Sequence, residues 1–196
     1  MFTFKRPSAS SIEQQIAAAS RLPAATPELL PLTRDLISPP NIPPGFVHDH
    51  SRSNLGHGLA AFAAAKRALK NWQMFNLGWV RVANLEARIN PGQIVAIEVH
   101  SLGLWTLNLS RIRGAVDTPT AYGFIYTTTA MHVEEGEERF LLEFTPETGE
   151  VFYDLEVVSR PRNLLARIGF PITRAFQHRF ARDSHQRMRE AVLATE

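Results

Sequence analysis

The densest group of potentially reactive side chains in this chain is one short acidic segment. It contains His132, Glu134, Glu137 and Glu138. One histidine with two or three carboxylates has the composition of a metal site, or of a general acid and base. Their spacing matches no standard metal signature, and Glu135-Gly136 is typical of a turn between solvated glutamates. We therefore predict a solvated hairpin and no metal site.

A second polar group lies nearer the C-terminus and contains Arg160, Arg174 and Gln177. Arg174 and Gln177 are three residues apart, so they share a face of a helix. An arginine that points inward needs a carboxylate or an anionic ligand, because burying an unpaired charge is costly. Arg160 would either hold the acid or phosphate head of an apolar ligand or form a structural salt bridge with Glu138 or Glu156. We favour the salt bridge.

Several classes of chemistry have no support in the sequence. There is no cysteine, which excludes disulfides and thiolate ligands or nucleophiles. We find no Gly-rich phosphate loop, dinucleotide fingerprint or zinc signature, so no cofactor is predicted. The hydroxyl groups of Thr127, Thr128, Thr129 and Ser159 have no evident base beside them, so nucleophilic catalysis is unsupported.

Composition indicates one globular domain, with or without an arm. The chain has 196 residues, of which 44% are hydrophobic and 20% charged, with a net charge of +2. Eight of its arginines lie between Arg160 and Arg189, a density that suits nucleic acid or an anionic membrane. The nearly balanced charge favours a solvated helix face instead, so we expect no nucleic acid partner and do not favour membrane contact. We find neither a signal peptide nor a long apolar segment, and we expect a cytoplasmic protein.

Periodicity predicts the helices that must position these side chains. A short helix over Ser10–Arg21 precedes a proline-dense arm over residues 22–44. Apolar residues at helical spacing predict a second helix over Leu59–Phe75. A third, from about Arg162 to Val192, is expected to kink or break at Pro171.

Between the second and third helices the period changes toward two, which predicts strands. An earlier strand is predicted over Gly45–Ser53, ending at Gly56-His57-Gly58. The later runs are Trp79–Val82, Ile94–His100, Leu104–Leu109, Ile112–Val116, Tyr122–Thr128, Arg139–Phe144 and Val151–Val158. No crossover helix separates the later strands, so we predict an antiparallel meander.

Several of these segments resemble a bacterial and plant family known as domain of unknown function 1990 (UPF0548-like). The similarity rests on AYGFIYTTTAMHVEEGEERF, on Ser159-Arg160-Pro161 and on LLARIGFPITRAFQHRF. It also includes Gly56-His57-Gly58, Phe62 and Trp72-Gln73-Met74, and it extends over about residues 43–190. The family usually has Tyr-Gly-Thr-Leu-Pro-Gly-His where this chain has YTTTAMH. Both glycines and the proline are absent here, so we infer no loop-borne activity from relatives.

The resemblance implies a Bet v 1-like (START-type) α+β fold. In this fold a curved antiparallel sheet of six to seven strands grips a long C-terminal helix, here over residues 45–196, with residues 1–44 as helix and arm. Sheet and helix commonly enclose an apolar cavity, although the aromatic residues of this chain are large enough to fill much of it.

We expect such a cavity to bind a small apolar or amphipathic molecule. Its predicted lining is Trp72, Trp105, Tyr122, Tyr126, Arg160, Arg174 and Gln177, with His132 at the rim. Two alternatives stay open. One is a cyclase- or hydrolase-like enzyme, which requires His132 or a glutamate to face the cavity. The other is an interaction module that uses the arginine-rich C-terminal helix.

Overall fold

A computed structural model describes residues 2–22, 28–34, 42–132, 134–162 and 170–194. The helices are α1 (Ala9–Ser20), α2 (Gly58–Lys70) and α3 (Phe170–Leu193), and a 3-10 turn spans Gln73–Phe75. The strands are β1 (Phe2–Thr3), β2 (Val47–His57), β3 (Val80–Val82), β4 (Ile94–Ser101), β5 (Leu104–Asp117), β6 (Ala121–Thr128), β7 (Glu134–Thr145) and β8 (Glu150–Pro161).

Within the described residues, seven strands form one curled antiparallel half-barrel in the order β2-β8-β7-β6-β5-β4-β3. The run from β3 to β8 is the predicted meander, and β2 returns to pair with the last strand. The predicted runs 104–109 and 112–116 are one strand, β5, with a register shift between Ile112 and Gly114. β6 pairs with β5 only from Ser110 onward, and β1 pairs with Trp105 and Thr106.

The predicted turn at Glu135-Gly136 is wrong, because both residues lie inside β7 and pair with Arg160 and Ser159. Glycine is required there for close approach of the neighbouring strand rather than for a turn. A Cβ atom on Gly136 would lie 2.2 Å from the carbonyl oxygen of Val158. An isolated glycine in a strand commonly marks such an approach.

The second predicted helix ends earlier than its apolar pattern suggests. α2 stops at Lys70, and Trp72 adopts a left-handed backbone with φ of 56° before the 3-10 turn. The indole Nε1 of Trp72 donates to the carbonyl oxygen of Ala87 at 3.1 Å, and the side chain is buried in the main core. This bend brings Phe75 against Phe180 of α3, with ring centroids 5.3 Å apart.

The C-terminal helix lies across the concave face of the sheet. Its inner side contributes Ser184, Met188 and Val192, which are fully buried. The first part of the predicted helix, residues 163–169, lies outside the described residues. Pro171, where a kink or break was predicted, lies in the first turn of α3, which begins at Phe170. No helix in the described ranges has the length and apolar character needed to cross a bilayer.

The N-terminal segment packs on the convex face, away from α3. Ile12 and Ala19 of α1 join Ile94 and Leu107 of β4 and β5 in a small core of their own. Leu29 and Leu30 form another with Ile125 and Val158. The division of the chain at residue 45 stays a prediction.

Arginines of the convex face bind the backbone carbonyl groups of this segment. Arg111 Nη2 donates to Ala19, Ser20 and Leu22 at 2.5–3.1 Å and so satisfies carbonyls at the end of α1. Arg139 Nη1 donates to the carbonyls of Pro31 and Thr33 at 3.1 and 3.4 Å. Glu137 binds backbone donors of the same segment, because its Oε2 accepts hydrogen bonds from the N–H groups of Leu29 and Leu30 at 2.8 and 2.9 Å.

Arg139 also pairs with two buried acids. Its Nη2 lies 3.1 Å from Asp154 Oδ1 and 2.5 Å from Glu156 Oε2. Burial alone would raise the pKa of Asp154, but hydrogen bonds from His50 and Arg139 hold that pKa below its ordinary value. His48 adds a contact to Glu156 at 2.8 Å. The guanidinium therefore joins two sheet strands and the arm.

Replacing Arg139 with methionine should strongly destabilise the fold, because Asp154 and Glu156 would stay buried without their shared cation. We expect the free energy of unfolding in urea to fall by about 3–5 kcal/mol. Arg182→Met is the matched control, since that side chain is 72% exposed beside Asp183. It should cost less than about 1 kcal/mol. Equal losses in the two variants would contradict this account.

Candidate functional site

A pocket with a volume of about 570 Å³ lies between the concave face of the sheet and α3. We call it the sheet–helix pocket. Its apolar lining comes from the 3-10 turn, strands β3, β4 and β8, and α3, and comprises Phe75, Trp79, Val80, Ile97, Val99, Leu155, Val157, Phe176, Phe180 and Ala181. Next to the pocket the concave face is filled by aromatic rings, as in the stacked pair Phe124 and Phe140 with centroids 5.0 Å apart. The aromatic residues thus fill part of the interior and leave this space beside them.

Polar side chains form a strip along the first half of β7. Alternation places Glu134, Gly136 and Glu138 toward the pocket, while Glu135 and Glu137 point to the convex side. The prediction of solvated glutamates is therefore wrong for this segment. Glu137 is 2% exposed and bonded to Arg113, with Nε to Oε1 at 2.6 Å.

Glu134 is tied to the C-terminal helix by a neutral partner. Gln177 Nε2 donates to both of its carboxylate oxygens at 2.9 and 3.1 Å, and reaches Ser159 Oγ at 3.3 Å. Burial raises the pKa of Glu134 to about 7, against the lowering effect of Gln177 and Arg174. Near neutral pH this carboxyl group is therefore partly protonated.

Glu138 is the more strongly perturbed acid. Burial raises its pKa to about 8, although the hydrogen bond from the Tyr126 hydroxyl opposes the shift. The two residues are register partners on β7 and β6. The negative charge of Glu134 adds to the increase. Glu138 is thus a neutral carboxylic acid at neutral pH, and it can donate a hydrogen bond or a proton.

Two histidines of the pocket, His132 and His185, are neutral near pH 7. Burial lowers the pKa of His132 to about 4, and its Nδ1 accepts the backbone N–H of Glu134 at 3.0 Å. Burial likewise lowers the pKa of His185 to about 4, and its ring nitrogens contact Ser51 and Ser53 at 2.8 Å each. Neither ring supplies a positive charge to a ligand at neutral pH.

Two polar side chains of β5, Thr106 and Asn108, also face the pocket. Thr106 lines it and is 8% exposed, yet its hydroxyl makes no hydrogen bond with a described residue. Thr106 is therefore available to hydrogen-bond a bound molecule.

The structure brings three of the eight predicted residues, Tyr126, His132 and Gln177, to the pocket. Arg174 stands at its edge, where Nη2 contacts Asp49 Oδ1 at 2.6 Å. This ion pair joins α3 to β2 and holds the pKa of Asp49 below its ordinary value. Whether these residues bind a ligand stays a prediction.

The other four predicted residues lie outside the pocket. Trp72 belongs to the packed core, because the left-handed turn after α2 directs it there. Tyr122 lies farther along β6, against Lys66 and Lys70 at 5.0 Å from its ring centroid. There burial raises the pKa of Tyr122 to about 12.

Trp105 and Arg160 occupy the convex face because of strand parity. Thr106 and Ser159, their neighbours in sequence, line the pocket, so Trp105 and Arg160 point the other way. Trp105 stacks on His100 with centroids 4.4 Å apart. Arg160 pairs with Glu135 rather than with Glu138 or Glu156, at 3.0 Å from Nη2 to Oε2.

Sequence reasoning missed the inward roles of Glu134 and Glu138 and the contribution of Thr106. The signal that could have found the glutamates is alternation, because Glu134, Gly136, Glu138 and Phe140 continue the inward set of β7 upstream. In the part of the chain that the structure describes, no three His, Asp or Glu side chains are grouped to hold a metal ion.

Comparison with known families decides the affiliation of the chain. The model described as "Domain of unknown function (DUF1990)" matches residues 33–187. The chain belongs to the DUF1990 family. This DUF1990 chain is also 33% identical over 208 residues to a UPF0548 protein of Dictyostelium discoideum, with 98% of this chain and 96% of the relative covered. A UPF0548 protein of Deinococcus radiodurans is 37% identical over 142 residues, covering 67% of this chain and 71% of that one.

Solved structures agree on the fold of this DUF1990 chain. Ara h 8.0201 superposes with a TM-score of 0.50 at 17% identity, covering 76% of this chain and 99% of that one. TTHA0849 from Thermus thermophilus gives a TM-score of 0.51 at 12% identity, with coverage of 77% and 99%. The fold is Bet v 1-like, as the sequence resemblance implied.

The two neutral glutamates predict that stability falls as pH rises from about 6.5 to about 8. Folding raises their pKa values from 4.5 to about 7 and about 8, so in this interval the folded state binds more protons than the unfolded state. His132 and His185 have the opposite effect on stability, because folding lowers their pKa values, but this effect is confined to the range between about pH 4 and pH 6.5. Urea unfolding should lose on the order of 2 kcal/mol over the interval.

Glu138→Gln should remove most of this pH dependence, since an amide cannot ionise. Glu147→Gln is the control, because Glu147 is exposed in the turn between β7 and β8. Glu147→Gln should show the same change of unfolding free energy with pH as the parent chain. A parent stability that stays constant or rises between the two pH values would show that the buried acids are ionised.

Proposed function

We propose that this protein binds a small, partly apolar molecule in the sheet–helix pocket. The observation that carries the proposal is the pocket itself, with its apolar walls and one polar strip. Its volume of about 570 Å³ lies within the range of about 300–1,000 Å³ common for ligand sites. Apolar walls would supply affinity, while Gln177, Tyr126 and Thr106 would orient the molecule. Membership of the DUF1990 family and the Bet v 1-like fold are compatible with this role.

An enzyme of the cyclase or hydrolase kind is the second candidate. Such an enzyme requires a histidine or a glutamate that faces the cavity, and His132, Glu134 and Glu138 all line the pocket. A neutral Glu138 with a raised pKa is suited to act as a general acid. Turnover of a bound molecule that stops in Glu138→Gln would favour catalysis over binding alone.

The third possibility, an interaction module on the arginine-rich helix, has weaker support. Arg174 is engaged by Asp49, and Arg179 and Arg182 both pair with Asp183 on the same helix. An arginine that already contacts a carboxylate of the chain attracts an anionic surface less strongly than a free one does.

Filling the pocket tests the binding proposal. Val157 is a half-buried lining residue on β8, and Val157→Trp would place an indole in the space. The parent protein should bind the neutral apolar dye Nile red with saturable fluorescence, and the variant should bind it at least about tenfold more weakly. Native mass spectrometry of the parent should also reveal any co-purified molecule as mass lost on denaturation.

Leu85→Trp is the control, because Leu85 is 66% exposed and lies outside the sheet–helix pocket. This variant adds the same indole without filling the space and should bind the dye like the parent. Equal binding by the parent and Val157→Trp, with both folded by circular dichroism, would place the dye elsewhere and count against the proposal.

A further inference from the structure

The acidic side chains that line the sheet–helix pocket differ in whether they have a cationic partner. Asp49 is paired with Arg174, and the lining arginine, Arg182, is paired with Asp183. Glu134 and Glu138 differ, because neither forms a salt bridge with a described residue. Their hydrogen-bond donors, Gln177 and Tyr126, are uncharged. The described lining therefore offers two acidic groups that no cation contacts directly, and Arg174 affects Glu134 only from a distance.

This difference distinguishes between classes of ligand. The carboxylate of an acidic ligand would lie near Glu134 and Glu138 with no free arginine to receive it, and its charge would oppose ionisation of both glutamates. An alcohol would exchange hydrogen bonds without a charge. An ammonium group would supply the cation that either glutamate lacks, and a buried ion pair with hydrogen-bonded partners avoids the cost of a lone charge.

Aromatic rings beside the acids favour the same class. Phe75 is stacked on Tyr126 and on Phe180, with centroids 6.5 and 5.3 Å apart, and all three residues line the pocket. Tyr126 also donates its hydroxyl to Glu138, so a ring face and a carboxyl group lie on adjacent strands. A cation between an acid and aromatic faces gains both an ion pair and cation–π contact.

We infer that the ligand of the sheet–helix pocket is a hydrophobic amine, an apolar molecule with one basic nitrogen that pairs with Glu134 or Glu138. This inference rests on the proposed binding function and deepens it by naming the chemical class. Thr106, buried and without a partner among the described residues, would accept or donate a further hydrogen bond. An amine replaces the acid or phosphate head group that the arginines suggested, because Arg160 faces away and Arg174 is occupied.

Binding of the ammonium form should release a proton. The protonated carboxyl group loses its proton to solvent as it pairs with the cation, and the amine keeps its own. Each neighbouring element presents titratable groups to the two acids: Asp49 on β2, Tyr126 on β6, His132 before β7, Tyr153 on β8, and Arg174 and His178 on α3. Of these, Asp49 and Arg174 form a pair of constant charge near neutral pH.

Three isosteric probes test the inference on the full chain. They are 1-naphthylmethylamine, 1-naphthylmethanol and 1-naphthoic acid, which share a ring system and differ in the charge of one substituent. By calorimetry at neutral pH the amine should bind about tenfold more tightly than the alcohol, and the acid most weakly. Repeating the amine titration in buffers of different ionisation enthalpy should reveal proton release.

Variants then locate the pairing group. The double variant Glu134→Gln/Glu138→Gln should lose the preference for the amine and keep its affinity for the alcohol, while Glu147→Gln should match the parent. Equal binding of amine and alcohol by the parent, preference for the acid, or absence of proton release would overturn the inference and leave the proposed function standing. Failure of all three probes and of Nile red to bind would overturn both.

Discussion

The register of β7 between β6 and β8 is the constraint on which both faces of the sheet depend. Alternation sends Glu134 and Glu138 to the pocket, and Glu137 and Arg139 to the convex face. A slip by one residue would exchange the two sets and bury Arg139 among aromatic rings. Gly136 helps to fix this register, because a side chain there would collide with the carbonyl oxygen of Val158.

On the convex face, arginines contact backbone carbonyls of the N-terminal segment. A proline-rich arm leaves backbone carbonyls without helical or sheet partners. A guanidinium carries five donors in a fixed plane and can bind several carbonyls while pairing with an acid, as Arg139 does with Pro31, Thr33 and Asp154. Lysine, with one compact charge, could not bridge so many groups at once. The arm is therefore held by polar contacts as well as by its leucines.

Periodicity predicted most of the architecture but little of the site. The helix that begins near Leu59 and the antiparallel meander were predicted from the spacing of apolar residues, which is a local property of the sequence. The orientation of Trp105 and Arg160 depends on which strand face is concave, and that is a property of the whole sheet. The glutamates of β7 were misassigned because Glu-Gly-Glu has the local composition of a turn. Only pairing with β6 and β8 makes it a strand.

The persistence of acids in the pocket is itself an argument for function. A carboxyl group that is largely removed from water and has a single hydrogen-bonding partner is costly compared with an apolar residue that packs in the same space. If this wall served only for packing, a leucine in place of Glu138, next to Phe140 and Tyr126, would therefore make the fold more stable. The chain instead has two carboxyl groups here. Each accepts hydrogen bonds from one uncharged side chain, which orients the carboxyl group without forming an ion pair with it. This is the arrangement that the proposed pairing with an amine requires.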